Sequence, residues 1–396
     1  MGMQNNIPEL RFPNFDGEWE RKKLVGVANV TTGGTPSTLK KEYWNGTIRW
    51  MNSGELNLKR VYEVENRITE KGLKNSSTKL IPKFSILIGL AGQGKTRGTV
   101  AMNMIELCTN QSIATIYPDE NSFHSDFLYH NLDNRYDELR SLSTGDGGRG
   151  GLNLQIIKSI LLDLPSIAEQ RKIASFFTAI DQKITQLKLK KTLLEHYKKG
   201  MMQGIFSQEI KFKDKNGREF PKWEKKNIKD LAEIKYGKDQ KQISCEDGKY
   251  PILGTGGEIG RTNDFLTDKP SVLIGRKGTI DKPRYMDTPF WTVDTLFYTN
   301  VFTNTNPKWL YYKFGTINWY LYNEASGVPS LSSSTIYMIP ISLPTLPEQI
   351  KIANFLSAID YKINQTQIQI ENAEVWKRGL VQQMFVKNIQ NHVPHQ

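Results

Sequence analysis

Apolar residues recur at alternating spacings of four and three through Ile173, Phe177, Ile180, Ile184 and Leu187. They do so again through Ile352, Leu356, Ile359 and Ile363, with Ile370 further along. This is a heptad seam, wide enough for one helix to pack along another. No proline interrupts either seam, so each predicts a helix of ~35 residues, ~50 Å long at 1.5 Å per residue. The seams belong to two copies of one segment. Leu164–Phe206 and Leu343–Phe385 align 179 residues apart without a gap. Roughly 19 of the 43 positions are identical, among them Glu169/Glu348, Gln170/Gln349, Lys172/Lys351, Asp181/Asp360 and Phe206/Phe385.

Each copy opens on a helix-start signal. Leu164-Pro165 and Leu343-Pro344 hold the chain extended. Ser166 with Glu169, and Thr345 with Glu348, then fit the capping box, in which a hydroxyl and a Glu three residues on satisfy orphan backbone donors. A single amphipathic helix would simply pack on its own domain. Two matched long helices, each following a large and different segment, predict an antiparallel pair with pseudo-twofold symmetry and the intervening segments at opposite ends.

Between the helices the pattern changes to short β-rich runs broken by Gly, Asn and Pro. In the first segment these are residues 31–36, 44–50, 84–88 and 112–117. A helix is expected over Ser125–Leu142, then a glycine-rich loop at Gly145–Gly151, then a helical pattern at Leu154, Ile157, Ile160 and Leu161. The second segment repeats the texture, with a turn-rich loop at 250–257, strands over 271–274 and 290–302, a helix over Pro307–Tyr322 and a small-residue loop at 326–334. Trp19-Glu20-Arg21-Lys22-Lys23-Leu24 and Trp223-Glu224-Lys225-Lys226-Asn227-Ile228 mark matching entries, 204 residues apart, so the first variable segment is 25 residues longer than the second. Residues 1–18 read as a lead-in.

The net charge of +12 among 396 residues changes the picture. It is spread along the chain, which points to a folded basic surface and a polyanionic partner. Cys108 and Cys245 cannot build a disulfide framework and suit a reducing compartment. No apolar run approaches ~18 residues and no signal peptide is evident, so a cytoplasmic chain away from the membrane is expected. His124, His130, His196, His392 and His395 show no metal-ligand spacing.

Gly89-Leu90-Ala91-Gly92-Gln93-Gly94-Lys95-Thr96 matches G-x-x-x-x-G-K-[ST] and follows an expected strand. The alternative it offers is a P-loop NTPase acting on nucleic acid, and as a phosphate loop it would need a helix from Lys95. Arg97-Gly98-Thr99-Val100-Ala101 argues for a strand instead. The second segment carries the same layout as Val272-Leu273-Ile274-Gly275-Arg276-Lys277-Gly278-Thr279-Ile280 without the loop's spacing. A turn in a repeated domain accounts for both. Asp181 and Lys183, like Asp360 and Lys362, could be matched to a nuclease pair, but residues two apart on a helix do not share a site. They read as solvated helix polarity.

With these features the sequence resembles the specificity subunits of Type I restriction-modification systems over almost its whole length. The carrying residues are Leu164-Pro165, Glu169-Gln170, Lys172-Ile173-Ala174 and Ala179-Ile180-Asp181. Their counterparts are Leu343-Pro344, Glu348-Gln349, Lys351-Ile352-Ala353 and Ala358-Ile359-Asp360, and Trp19, Trp223 and Thr32-Gly33-Gly34-Thr35-Pro36-Ser37 add to them. The resemblance implies an α/β (α+β) fold. Two β-rich target-recognition domains, 1–163 and 208–342, would be separated by coiled-coil-like helices at 164–207 and 343–388, with a tail at 389–396. It implies a non-catalytic subunit whose two domains each read half of a bipartite, asymmetric double-stranded DNA site, with the helices fixing the gap. It also implies methyltransferase subunits, two of them, then restriction/translocase subunits. S-adenosylmethionine, ATP and Mg²⁺ would sit on those partners and no cofactor on this chain.

Basic or amide side chains near glycine-rich turns are the candidates for DNA contact. In the first domain these are Thr35, Arg49, Gln93, Lys95, Arg97 and Arg149; in the second, Lys238, Lys241, Arg261, Arg276, Lys277 and Lys282. The alternative for any one of them is solvated surface charge. Trp44, Trp50, Trp309 and Trp319 read as core. Candidates for the helix-pair and subunit interface are Glu169, Gln170, Ile173, Phe177, Ile180 and Ile184, with Glu348, Gln349, Ile352, Leu356, Ile359 and Ile363.

Overall fold

A computed structural model describes residues 6–92, 96–142 and 151–386. The chain forms two compact units. One takes in the residues up to Gln186 and again from Gln369; the other is Leu187–Ile368. The two expected helices are present as Ile167–Phe206 and Leu346–Met384. Each unit therefore holds the first half of one long helix and the second half of the other.

In the first unit, a five-stranded sheet runs in the order Val30–Thr32, Ile113–Ile116, Ile86–Gly89, Val100–Asn103, Arg60–Val61. A three-stranded sheet has Trp44–Met51 at its centre, antiparallel to Asn66–Ile68 and parallel to Cys108–Thr109. Fully buried Ile86, Ile88 and Met102 face helix Ser125–Asp133, whose Phe127 and Leu128 are equally buried. The entry strand Glu20–Lys23 pairs with Leu161–Leu164, so the chain closes on itself just before the long helix begins.

That unit's two long-helix segments run antiparallel. Phe177 stacks on Phe385 at 5.9 Å, and Asp181, one turn further on, meets Lys377, two turns back. Ile173, Phe177, Ile180 and Ile184 are buried in one core with Val381, Met384 and Phe385. The entry residue Trp19 packs edge-on against Phe127 and against Phe385.

The second unit repeats this plan. A four-stranded sheet runs Ala232–Lys235, Leu296–Val301, Ser271–Gly275, Arg284–Met286, and Tyr250–Gly254 is antiparallel to Gly257–Thr262 and parallel to Trp291–Thr292. Glu224–Asn227 pairs with Pro340–Leu343. Phe206, at the end of the first long helix, packs against Trp223 and Trp309, the counterparts of Trp19 and Phe127. Ile352, Leu356 and Ile359 are buried and Ile363 is half-buried. Trp309 and Trp319 are core residues and Trp50 is buried, whereas Trp44 is half-buried on the edge of Trp50.

Several expectations need correction. The helix expected over Ser125–Leu142 is two, Ser125–Asp133 and Tyr136–Ser141, broken where Arg135 turns to bond Glu138 and the Leu161 carbonyl. The helix expected over Pro307–Tyr322 stops at Phe314 before Gly315, and a 3₁₀ turn, Trp319–Tyr322, follows. Residues 6–18 are more than a lead-in: Leu10 donates its N–H to the Gln383 carbonyl, and Phe12 packs edge-on against Phe176. The capping boxes are incomplete. Ser166 Oγ accepts from Glu169 N at 3.3 Å, but the Thr345 hydroxyl is buried without a partner. Both glutamates are taken by tertiary partners instead.

Candidate nucleic-acid interface

In each unit the loops that leave the two sheets converge on one edge. In the second unit, Lys238 N donates to the Thr292 carbonyl and Trp291 Nε1 donates to the Lys238 carbonyl at 2.9 Å. The N–H groups of Arg276 and Lys277 both donate to the Thr295 carbonyl, and Leu331 N donates to the Arg276 carbonyl. The Arg276 guanidinium lies 5.4 Å over the Tyr236 ring, with its Nη1 3.1 Å from the Asp294 carbonyl. Lys238, Arg276 and Lys277 are thus gathered on loops 236–241 and 276–282, both bonded to the 292–295 segment, and Lys241 and Lys282 in these loops are exposed. Tyr236 and Trp291 are not among the sequence candidates; Tyr236 stands beside Gly237, which was an available signal, and Trp291 has none of that kind. Arg261 is elsewhere, folded back on its hairpin to the Gly248 and Lys249 carbonyls and Glu258.

The first unit has the same frame with different side chains. Leu90 occupies the place of Arg276: its N–H donates to the Ser112 carbonyl and its carbonyl accepts from Leu152 N. Thr35 is exposed and donates to Gln111 Oε1 at 2.6 Å. Arg97 is half-buried in the turn after Thr96. Arg49 is not on this edge. It lies mid-strand opposite Arg67, and Glu63 accepts from both, at 3.1 and 2.9 Å. Gln93, Lys95 and Arg149 lie outside the described residues, as does most of the Gly145–Gly151 loop.

The phosphate-loop reading fails on topology. Gly89 ends a strand, Gly98 N donates back to the Gly89 carbonyl, and the chain returns as Val100–Asn103 antiparallel to Ile86–Gly89. A β-carbon on Gly89 would meet the Thr96 carbonyl, and one on Gly275 the Thr279 carbonyl, which is why both turns need glycine. Among the described residues of this turn, Thr96–Gly98 form a turn and no helix starts to supply the dipole and N–H donors a triphosphate requires. Among the described residues, no cluster of three His, Cys, Asp or Glu could hold a metal ion, and no helix is long and apolar enough to cross a membrane.

A family model described as the Type I restriction modification DNA specificity domain matches residues 16–196 and 221–372. The chain belongs to the Type I restriction-modification DNA specificity family. The MjaIX specificity subunit of Methanocaldococcus jannaschii is 30% identical over 265 residues, 63% of this chain and 60% of that protein. The EcoprrI specificity subunit of Escherichia coli is 24% identical over 88% of this chain and 90% of its own length. The EcoR124I/EcoR124II specificity subunit is 31% identical but matched over only 42% of its length. Among solved structures, the S subunit of a Type I restriction-modification system from M. genitalium superposes with a TM-score of 0.65 at 18% identity. That match covers 96% of this chain and 99% of the other, which fixes the fold.

For this specificity-family chain, the long-helix candidates divide into two groups. The apolar ones line the helix seam described above. The polar ones hold each helix to its own domain. Gln170 Oε1 accepts from His124 N at 2.8 Å and its Nε2 donates to the Pro165 carbonyl; Gln349 does the same with Asn306 N at 2.7 Å and the Pro344 carbonyl. Glu169 is gripped by Arg11 through two bonds of 2.7 Å, whereas Glu348 accepts from Trp223 Nε1 at 3.0 Å. Asp181 and Asp360 are partly exposed but paired, not lone solvated charges. Asp181 pairs with Lys377 at 2.6 Å, and Asp360 pairs with Lys198 at 2.6 Å and accepts from Tyr312 Oη at 2.6 Å. His130, at the position equivalent to Tyr312, lies 3.9 Å from Asp181. Burial, with Lys377 and Arg60 nearby, holds its imidazole well below its usual range and therefore neutral.

Proposed function

We propose that this chain is the non-catalytic sequence-specificity subunit of a Type I restriction-modification complex. Each β-rich domain reads one half of a bipartite, asymmetric double-stranded DNA site through its convergent loop edge. The paired long helices fix the spacing between the halves. Methyltransferase subunits, two of them, dock on the helices and adjoining surfaces and bring S-adenosylmethionine. Restriction/translocase subunits bring ATP and Mg²⁺. The complex works on DNA in the bacterial cytosol.

One observation supports this reading above the rest. The two domains share a backbone frame down to single hydrogen bonds, yet place Leu90 in one and Arg276 in the other at the same point of the loop edge. A common frame with different side chains is what reading two different half-sites requires. The charge of +12 supplies phosphate attraction, which falls steeply with salt.

Mapping methylated adenines in DNA from cells carrying this chain with its partner subunits tests the proposal. The expected result is one bipartite, asymmetric motif with a fixed gap. An uninterrupted or palindromic motif, or no methylation dependent on this chain, would overturn it.

A further inference from the structure

The two units differ at one buried site where their frames otherwise agree. In the first unit Glu169, 1% exposed, is closed by Arg11. Arg11 Nε and Nη2 each reach one carboxylate oxygen at 2.7 Å, while Nη1 donates to the Gly17 carbonyl at 2.6 Å and Nη2 to the Asp16 carbonyl at 2.9 Å. A planar guanidinium is thus fully engaged by a carboxylate and two carbonyls.

The second unit carries the matching buried carboxylate without the guanidinium. Ile210-Lys211-Phe212 is the counterpart of Leu10-Arg11-Phe12, because Phe212 packs edge-on against Phe355 at 5.6 Å as Phe12 does against Phe176 at 5.7 Å. Phe220 and Pro221, three and two residues before Trp223, stand where Asp16 and Gly17 stand before Trp19. Lys211 turns outward: its side chain is 65% exposed, with Nζ 3.9 Å from Glu219. Glu348, 4% exposed, keeps only the neutral Trp223 donor and no cation among the described residues. A cavity of about 140 Å³ opens against it; its charged lining residues are Glu348, Glu219, Lys211 and Lys222, with Trp223 beside them and no arginine.

We propose that this cavity binds the guanidinium group of an arginine side chain carried by another protein chain. Glu348 is the counterpart of the carboxylate that holds Arg11, and Phe220 and Pro221 line the cavity beside it. A buried carboxylate served by one neutral donor is costly, and an incoming cation removes that cost. Burial already pushes the Glu348 carboxyl above its ordinary range, partly offset by the Trp223 bond. The flat fork of arginine can engage both oxygens of a buried carboxylate, which the point charge of lysine cannot, and this fits the outward turn of Lys211. The choice of a partner chain as the source rests on the assembly proposed above; the cavity's preference for guanidinium does not.

The test uses Nα-acetyl-arginine methylamide, titrated into the full chain while the indole N–H signal of Trp223 is followed by NMR. The signal is assigned with Trp223→Phe. We expect saturable binding with a dissociation constant of about 1–10 mM, and at least ten-fold weaker binding of Nα-acetyl-lysine methylamide. In Lys211→Arg, binding is lost and the Trp223 signal sits near its bound position without ligand, because the site is filled from within. Glu348→Gln also loses binding. No shift of Trp223 up to about 50 mM, equal binding of the lysine compound, or unchanged binding by Lys211→Arg would overturn the proposal. None of these outcomes depends on DNA or on any partner subunit.

Discussion

Lys377 of the second long helix places its Nζ 2.6 Å from Asp181 of the first. Lys198 and Asp360 make the same bond at the same distance in the other unit, with the roles of the helices exchanged. Each carboxylate also meets a ring from its own domain, His130 in one unit and Tyr312 in the other. The duplicated sequence has thus produced two copies of one clasp, each tying helix to helix and helix to domain.

Breaking either clasp should weaken the unit that contains it. All four ionic side chains are between about one fifth and one third exposed, so solvent screens part of the attraction. Asp181→Asn and Lys377→Met should each cost about 1–2 kcal/mol in urea unfolding. The double variant should cost less than the sum. Strict additivity would show that the pair is not coupled.

The contrast between Glu169 and Glu348 gives a prediction of opposite signs. Arg11→Met strands a carboxylate that is 1% exposed and should cost about 3–5 kcal/mol. Glu348→Gln removes a charge that has no cation partner among the described residues and should be neutral or stabilising at pH 7. The pH dependence follows from the raised carboxyl of Glu348. The folded state binds its proton more tightly than the unfolded state does, so its contribution is complete below the ordinary carboxylate value of 4.5. That contribution is lost as pH rises through the higher folded value. The advantage of the Gln variant over wild type should therefore widen as pH rises across that window. A gap that narrows instead would show that Glu348 is not buried as described.

Arg276 and Lys277 are adjacent but should behave differently on DNA. Arg276 is held by Tyr236 and Asp294 at the loop edge, so Arg276→Ala should relax preference at one position of one half-site by about 1–3 kcal/mol. Lys277 is exposed. Lys277→Ala should weaken all sequences alike and reduce the slope of log affinity against log salt by about 1. Binding isotherms against a panel of substituted sites, at several salt concentrations, separate the two.

The helices were legible because burial imprints a period, and the duplication was legible because both seams kept it. The turn at Gly89 was legible because its counterpart at Gly275 lacks the phosphate-loop spacing. Partners across space left no such imprint. Asp181 reads as solvated polarity until Lys377, nearly two hundred residues on, is beside it. Arg11 sits in a stretch without periodicity, and its role depends on Glu169 being buried. The loop edge was half legible: basic residues near glycines include Arg276 and Lys238, which lie on it, and also Arg49, which lies on a strand and pairs at the surface with Glu63. Glu169 and Glu348 occupy matching positions of the repeat, each before a Gln and three residues before a Lys, and nothing in those flanks shows which of them has an arginine partner.

The helix clasp also bears on spacing. A heptad added to both long helices lengthens each by ~10.5 Å. The methylated motif should keep both half-sites and gain about three base pairs between them, at ~3.4 Å per step, or the complex should fail to assemble. Normal assembly with an unchanged gap would count against a spacing role for the helices.

The most direct test of the account exchanges residues 228–342 for the equivalent segment of a family relative with a different motif, and maps methylated adenines in cells that supply the partner subunits. The account predicts a motif in which one half-site is replaced and the other is kept. A motif with both halves unchanged, or both altered, would contradict the reading of one half-site by each domain.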